Sequence, residues 1–162
     1  MSAFESYVRT LGQEIARTER LVDEFPVAEI GFRPHERSSD AQRLLWTFAV
    51  EARMVQLATT EGASLANAMV AAPGSANELI AGIKENHRLL LNHLKSLEEG
   101  KIPATVQFMT GPGKYADIPI MDFLWMMLFD HIHHRGQLSV YVRMTGGRVP
   151  SIYGPSADEK WN

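Results

Sequence analysis

Three side chains that can bind a metal or move a proton lie close together near residue 130. They are Asp130, His131 and His134, and Glu51 lies in an earlier segment. Asp130 and His134 are four residues apart, and His131 and His134 are three apart. In a helix, both spacings bring two side chains onto the same face. Zinc, nickel, manganese and iron all accept a mixed set of carboxylates and imidazoles. The spacing therefore indicates a candidate metal site.

The same residues also fit a purely structural role. Asp130 and His134 can form a hydrogen-bonded pair, with Arg43 or Arg53 as a further partner. Glu51 can be a metal ligand, a general base acting through a metal-bound water, or the partner of a buried arginine. A small error in helical phase would instead place Glu51 near solvent. The residue pattern alone leaves these alternatives open.

A long helix is expected to position Asp130 and His134. The segment Asp122–Thr145 contains one glycine, Gly136, and Gly146 suits the left-handed residue that ends a helix. On a helical wheel, one face collects Phe123, Met127, Asp130, His134, Leu138 and Tyr141.

We expect this face to be buried, because its neighbours along the helix are apolar. A buried charge costs several kcal/mol unless it is paired or holds a metal. Asp130 and His134 are therefore predicted to point inward. His131 at the edge of the face and Tyr141 beyond His134 are candidates for contact with a substrate.

Apolar periodicity predicts four helices in all. They run from Phe4 to about Phe25, from a Ser39 capping box to about Thr60, from a Ser75 capping box to Gly100, and from Asp122 to Thr145. The connection 101–119 is long, and no strand pair is predicted. The chain is thus expected to be all-α, a single domain over residues 1–162 forming a four-helix bundle with a long crossover before the last helix. Glu51 falls at the centre of the second helix's apolar face, so Glu51, Asp130 and His134 converge if the two helices face each other.

Composition excludes several functional classes. The net charge of −3 and the absence of a basic run argue against nucleic acid as a partner. The chain has no cysteine, which excludes disulfides and thiolate ligands. The N-terminal residues are charged and contain no apolar core segment, so no signal peptide is expected, and the most apolar run, Ile118–Phe129, is too short to span a bilayer. We expect a cytoplasmic protein that acts on a small molecule and does not bind membranes.

The motif helix resembles a known family. His-His-Arg-Gly-Gln at 133–137, with the following Leu138, Tyr141-x-Arg143 and Gly146-Gly147-x-x-Pro150, is similar to the DinB/YfiT-like superfamily. The resemblance implies a four-helix bundle whose second and third helices run in the same direction. It also implies a metal pocket between helices and often a homodimer. Members are metal-dependent hydrolases or thiol S-transferases that use low-molecular-weight thiols.

The chain departs from the family's usual metal ligands. The resemblance implies three histidines, one on the second helix and two spaced by four on the motif helix. Here Asp130 replaces the earlier motif histidine, and Trp46, or Thr47 after a one-residue shift, takes the position on the second helix. One alternative is a divergent site of Asp130, His134 and Glu51 that prefers harder ions, with Glu51 as third ligand or catalytic base. The other is that metal binding was lost and the protein is a non-catalytic, dimeric binding or stress-associated protein.

Overall fold

The computed structural model describes residues 1–160 and contains four long helices and one hairpin. The helices are α1 (Ala3–Asp23), α2 (Ala41–Ala58), α3 (Ala76–Ser96) and α4 (Ile120–Met144). The strands are β1 (Thr105–Gly111) and β2 (Lys114–Pro119). Among these residues, no helix is both long and apolar enough to cross a membrane.

Contacts between helices define the direction of each one. The Trp46 ring packs on Gly82, and Thr59 Oγ1 lies 3.0 Å from His93 Nε2, so α2 and α3 run in the same direction. By contrast, the N-terminal end of α2 lies beside the C-terminal half of α4, where the Tyr141 hydroxyl donates to the Ser39 carbonyl. The parallel α2–α3 pair confirms the topology that the resemblance implies.

Local capping explains where the helices begin. The Ser75 hydroxyl accepts from the Glu78 N–H, as predicted for the start of α3. The predicted Ser39 cap of α2 is wrong by one residue: Asp40 has the extended backbone of a cap, and its carboxylate accepts from the Arg43 N–H. At the other end of the chain, Gly146 has φ +84° and ends α4 as predicted.

The long connection before α4 is not all loop, so the strictly all-α prediction is wrong. β1 and β2 pair antiparallel, and Gly113 has φ +69° in the turn between them. Half-buried Val106 and Phe108 alternate with exposed neighbours on β1 and pack against the helical core. The ring of Phe108 lies 5.3 Å from that of Phe123, so the hairpin covers the N-terminal end of α4.

The apolar core consists of two clusters with polar residues between them. One cluster includes Tyr7, Phe123 and Leu128, and the other includes Leu45, Phe48 and Leu138. The buried polar residues are Glu14, Thr18, Glu51, Thr59, His87, His131 and Arg135. Because buried polar groups are costly unless they are hydrogen-bonded, these residues identify where the fold departs from simple packing.

The turn after α4 depends on a close backbone approach at Gly147. A Cβ there would collide with the Glu24 carbonyl oxygen and lie 2.8 Å from Val142 Cγ1. We expect Gly147→Ala to lower the free energy of unfolding by about 1–3 kcal/mol, measured by urea denaturation. Gly136→Ala is the control, because that helical position is open, and it should stabilise by about 0.5–1 kcal/mol. Equal stability of Gly147→Ala and wild type would contradict the close packing.

Candidate metal centre

The structure buries the apolar residues of the predicted face of α4, namely Phe123, Met127, Leu138 and Tyr141, but leaves its two polar residues partly exposed. His131 and Arg135 are buried, whereas the Asp130 side chain is 49% exposed and that of His134 is 21% exposed. The prediction that Asp130 points inward is therefore wrong. α4 packs against both α1 and α2 and buries two adjoining rows of side chains, so its apolar residues do not define a single stripe. Asp130 and His134 lie at the edge of the buried face, beside α2.

Glu51 connects α2 to α4 from within the core. Its side chain is 5% exposed; Oε1 lies 2.6 Å from His134 Nδ1 and Oε2 lies 3.2 Å from His131 Nδ1. The prediction that Glu51 is on the buried face of its helix is confirmed. Burial alone would raise the pKa of Glu51, but the hydrogen bonds from the two imidazoles outweigh it and hold the pKa below its usual value. The hydrogen bond to Glu51 correspondingly raises the pKa of His134, against the opposing effect of its burial.

Asp130 completes a group of three possible metal ligands. One ligand atom each from Glu51, Asp130 and His134 lies within 4.8 Å of the others, and Asp130 Oδ1 is 3.8 Å from His134 Nδ1. Two carboxylates and one imidazole suit a divalent ion of the harder type, such as manganese or iron. Because Asp130 is partly exposed, an ion could reach these ligands from solvent, and the buried Glu51 would bind it from the core side. The three residues predicted as ligands are thus brought together and fit a divalent cation.

His131 contacts Glu51 from within the core. It is 4% exposed, its Nε2 lies 2.7 Å from Thr18 Oγ1, and its ring packs on the edge of Phe48 at 5.0 Å. Because a carboxylate only accepts, His131 Nδ1 donates to Glu51. The cavity that His131 lines has a volume of only about 10 Å³. In this structure its contacts hold the carboxylate of Glu51 in place, and its contact with a substrate stays a prediction.

An open cleft adjoins the candidate ligands. Its volume is about 530 Å³. The lining residues are Ser38, Ser39, Arg43, Leu44, Thr47, His134, Gln137, Val140 and Tyr141. Tyr141 is in the wall of this cleft, where a substrate could contact it, and its hydroxyl donates to the Ser39 carbonyl at 2.8 Å. The cleft gives a small molecule access to His134.

Sequence reasoning missed a buried ion pair one turn from the site. Arg135 Nη1 lies 2.7 Å from Glu14 Oε2, and Arg135 Nη2 donates to the Tyr153 hydroxyl at 2.6 Å. That hydroxyl donates in turn to Glu14 at 2.6 Å. The three residues come from α1, α4 and the C-terminal segment. No local sequence signal pairs them, because their separation along the chain is large.

His87 is a further buried histidine that the sequence analysis did not identify. It is 1% exposed, and its Nδ1 lies 3.0 Å from Glu19 Oε1. Burial lowers the pKa of His87, and the hydrogen bond to Glu19 offsets only part of that effect. A signal was available, because Ile83, His87 and Leu90 follow the spacing of the buried face of α3.

Comparisons with known proteins agree with this architecture. The sequence pattern of the DinB superfamily matches residues 10–138. A DinB-like protein from Bacillus cereus is 20% identical, with a TM-score of 0.69 over 92% of this chain and 97% of its own. A DinB-like protein from Bacillus subtilis is also 20% identical, with a TM-score of 0.62 over 87% and 92%.

A more distant likeness is to an enzyme that depends on a thiol. A variant of mycothiol-dependent maleylpyruvate isomerase is 16% identical, with a TM-score of 0.50 over 91% of this chain and 65% of its own. No curated protein matches the chain in sequence. At these identities, the likenesses to solved structures show the fold alone.

Proposed function

The chain belongs to the DinB superfamily, and on that premise we propose that it is a metal-dependent enzyme for a small molecule, a hydrolase or a thiol S-transferase. Glu51, Asp130 and His134 would hold the ion. The observation that carries the proposal is that their ligand atoms lie within 4.8 Å of one another, with His134 in the wall of an open cleft. A cleft with convergent polar groups is the usual setting for a substrate.

The side chains around the site have distinct tasks in this proposal. A divalent ion would supply Lewis-acid chemistry, polarising a substrate oxygen or the sulfur of a thiol. His131, held by Thr18, keeps the Glu51 carboxylate in one orientation, as second-layer partners of ligands do. Glu51 then serves as third ligand or, if Asp130 and His134 suffice to hold the ion, as the base that takes a proton.

A thiol would have to come from outside the chain. The sequence has no cysteine, so the protein offers no thiol of its own. The fold is shared with a mycothiol-dependent enzyme, which supports a low-molecular-weight thiol as co-substrate. Of the ions that accept these ligands, namely zinc, nickel, manganese and iron, the two carboxylates favour the harder ones. We also expect a homodimer, which light scattering in solution would test.

One observation favours a second candidate, a non-catalytic dimeric binding protein without metal. Glu51 already has both carboxylate oxygens hydrogen-bonded, to His131 and to His134, so the network is satisfied without an ion. Asp130 distinguishes the two candidates, because its half-exposed carboxylate is a metal ligand in the first candidate and has no role in the second.

Elemental analysis of the purified, untagged protein tests the first candidate. We expect near-stoichiometric divalent metal in wild type and its loss in Asp130→Ala, because Asp130 is a ligand whether Glu51 acts as third ligand or as base. Asp117→Ala, an exposed aspartate on β2, is the matched control and should retain the metal. Absence of metal in wild type, even after incubation with zinc, nickel and manganese, would contradict the enzyme and favour the second candidate.

A further inference from the structure

A second cavity adjoins the cleft beside His134 at Arg43. The second cavity has a volume of about 470 Å³ and shares Arg43 and Thr47 with the first. Its lining residues are Asp40, Gln42, Arg43, Trp46, Thr47, Val50, Met69, Val70 and Ala72. We propose that the two cavities form one groove that binds a carboxylic acid, with its carboxylate on Arg43 and its hydrocarbon body against Trp46, Val50, Met69 and Val70.

Arg43 is available to bind an anion. Within residues 1–160 its guanidinium forms no hydrogen bond or ion pair, and only its backbone is engaged, with Asp40 and Thr47. The carboxylate of Asp40 does not occupy it, because that group is paired with Arg33 at 3.3 Å and caps α2. A guanidinium matches a carboxylate with two parallel hydrogen bonds, so a free arginine in a concave site favours this ligand class.

The far end of the groove is apolar and accessible. Met69 is 74% exposed and Val70 is 44% exposed, although both are large hydrophobic residues. Trp46 holds this wall in place, because its Nε1 donates to the Val70 carbonyl at 2.7 Å and its ring rests on Gly82. Exposed apolar side chains that line a cavity indicate contact with an apolar group.

The order of these features along the groove orients the ligand. His134 lies in one cavity, Trp46 lies in the other, and Arg43 lies in both. A carboxylate on Arg43 with its hydrocarbon body towards Trp46 would place the groups next to the carboxylate on the His134 side. The inference that the groups next to the carboxylate react beside His134 rests on the proposed function. The binding of the acid itself does not.

Calorimetric titration with octanoate and with 1-octanol tests the groove, because the two probes share a hydrocarbon chain and differ in charge. We expect octanoate to bind wild type roughly tenfold or more tighter than octanol, as for a hydrogen-bonded charge. Arg43→Gln should remove that difference. Arg88→Gln, a paired surface arginine on α3, is the control and should preserve it. Met69→Ser should weaken both probes by a similar factor.

Three results would overturn the inference: octanoate binds no tighter than octanol, neither probe binds, or Arg43→Gln keeps the preference for octanoate. Metal analysis of the same samples separates this from the proposed function. Octanoate binding in a protein without metal would contradict the metal-dependent enzyme alone, whereas metal without octanoate binding would contradict the groove alone.

Discussion

Arg135→Met is expected to lower the free energy of unfolding by about 3–5 kcal/mol, the usual cost of removing one partner of a buried ion pair. The Arg135 and Glu14 side chains are 4% and 6% exposed, so the carboxylate would stay in the core and lose the more buried of its two arginine partners, keeping only Arg17 at 2.7 Å. Tyr153 would lose a hydrogen bond to the same guanidinium and with it a link between the C-terminal segment and the bundle. Urea denaturation followed by circular dichroism measures the loss.

A matched variant on the same helix controls for the change of residue type. Arg143→Met also removes an α4 arginine from an ion pair, but its pair with Asp158 of the C-terminal segment is near the surface, so the effect should be much smaller. The double variant Glu14→Met, Arg135→Met should recover part of the stability, because it removes both charges of the buried pair together. Equal destabilisation by Arg135→Met and Arg143→Met would contradict the argument that burial makes the first pair more important for stability.

Glu51→Gln is expected to abolish metal binding and to lower the stability of the metal-free protein by about 1.5–3 kcal/mol, the range for hydrogen bonds to charged groups. The amide keeps the shape of Glu51 and one acceptor oxygen but removes the charge that two imidazoles contact. Glu61→Gln, at an exposed position, is the control and should change neither property. Retained metal in Glu51→Gln would contradict its assignment as third ligand.

The stability difference between wild type and Glu51→Gln should depend on pH. The pKa of His134 is raised in the fold, so its contribution is complete below about pH 6.5 and is lost as pH rises through the folded-state value. The pKa of Glu51 is lowered, so its contribution is complete above about pH 4.3 and is lost as pH falls through the folded-state value. In metal-free protein the difference should therefore be largest between these limits. A difference that is constant from acid to alkaline pH would contradict the coupling.

Much of the fold follows from local sequence signals. Helix periodicity and the Ser75 and Gly146 caps are properties of neighbouring residues, and the structure confirms them. The buried position of Glu51 could be predicted because α2 has apolar residues on one side of it. The hairpin was missed because β2 is exposed except at Ile118, and the apolar alternation on β1 is limited to Val106 and Phe108, which is too short to indicate a strand pair.

The phase of α4 could not be determined from its own residues. Apolar side chains surround Asp130 and His131 on several sides of the helix, so a wheel fits either as the centre. The choice depends on the polar partners that α1 supplies: Thr18 hydrogen-bonds with His131, and Glu14 forms an ion pair with Arg135. These partners lie more than a hundred residues away in sequence, and only the folded chain brings them together.

The most direct test of the metal site is an anomalous difference map from crystals grown with manganese. The account predicts one strong peak within bonding distance of the side chains of Glu51, Asp130 and His134, at the end of the cleft that Arg43 lines. The same map from Asp130→Ala crystals should lack it. A wild-type map without a peak between these three side chains, or with manganese only elsewhere on the protein, would contradict the assignment of this pocket as a metal centre.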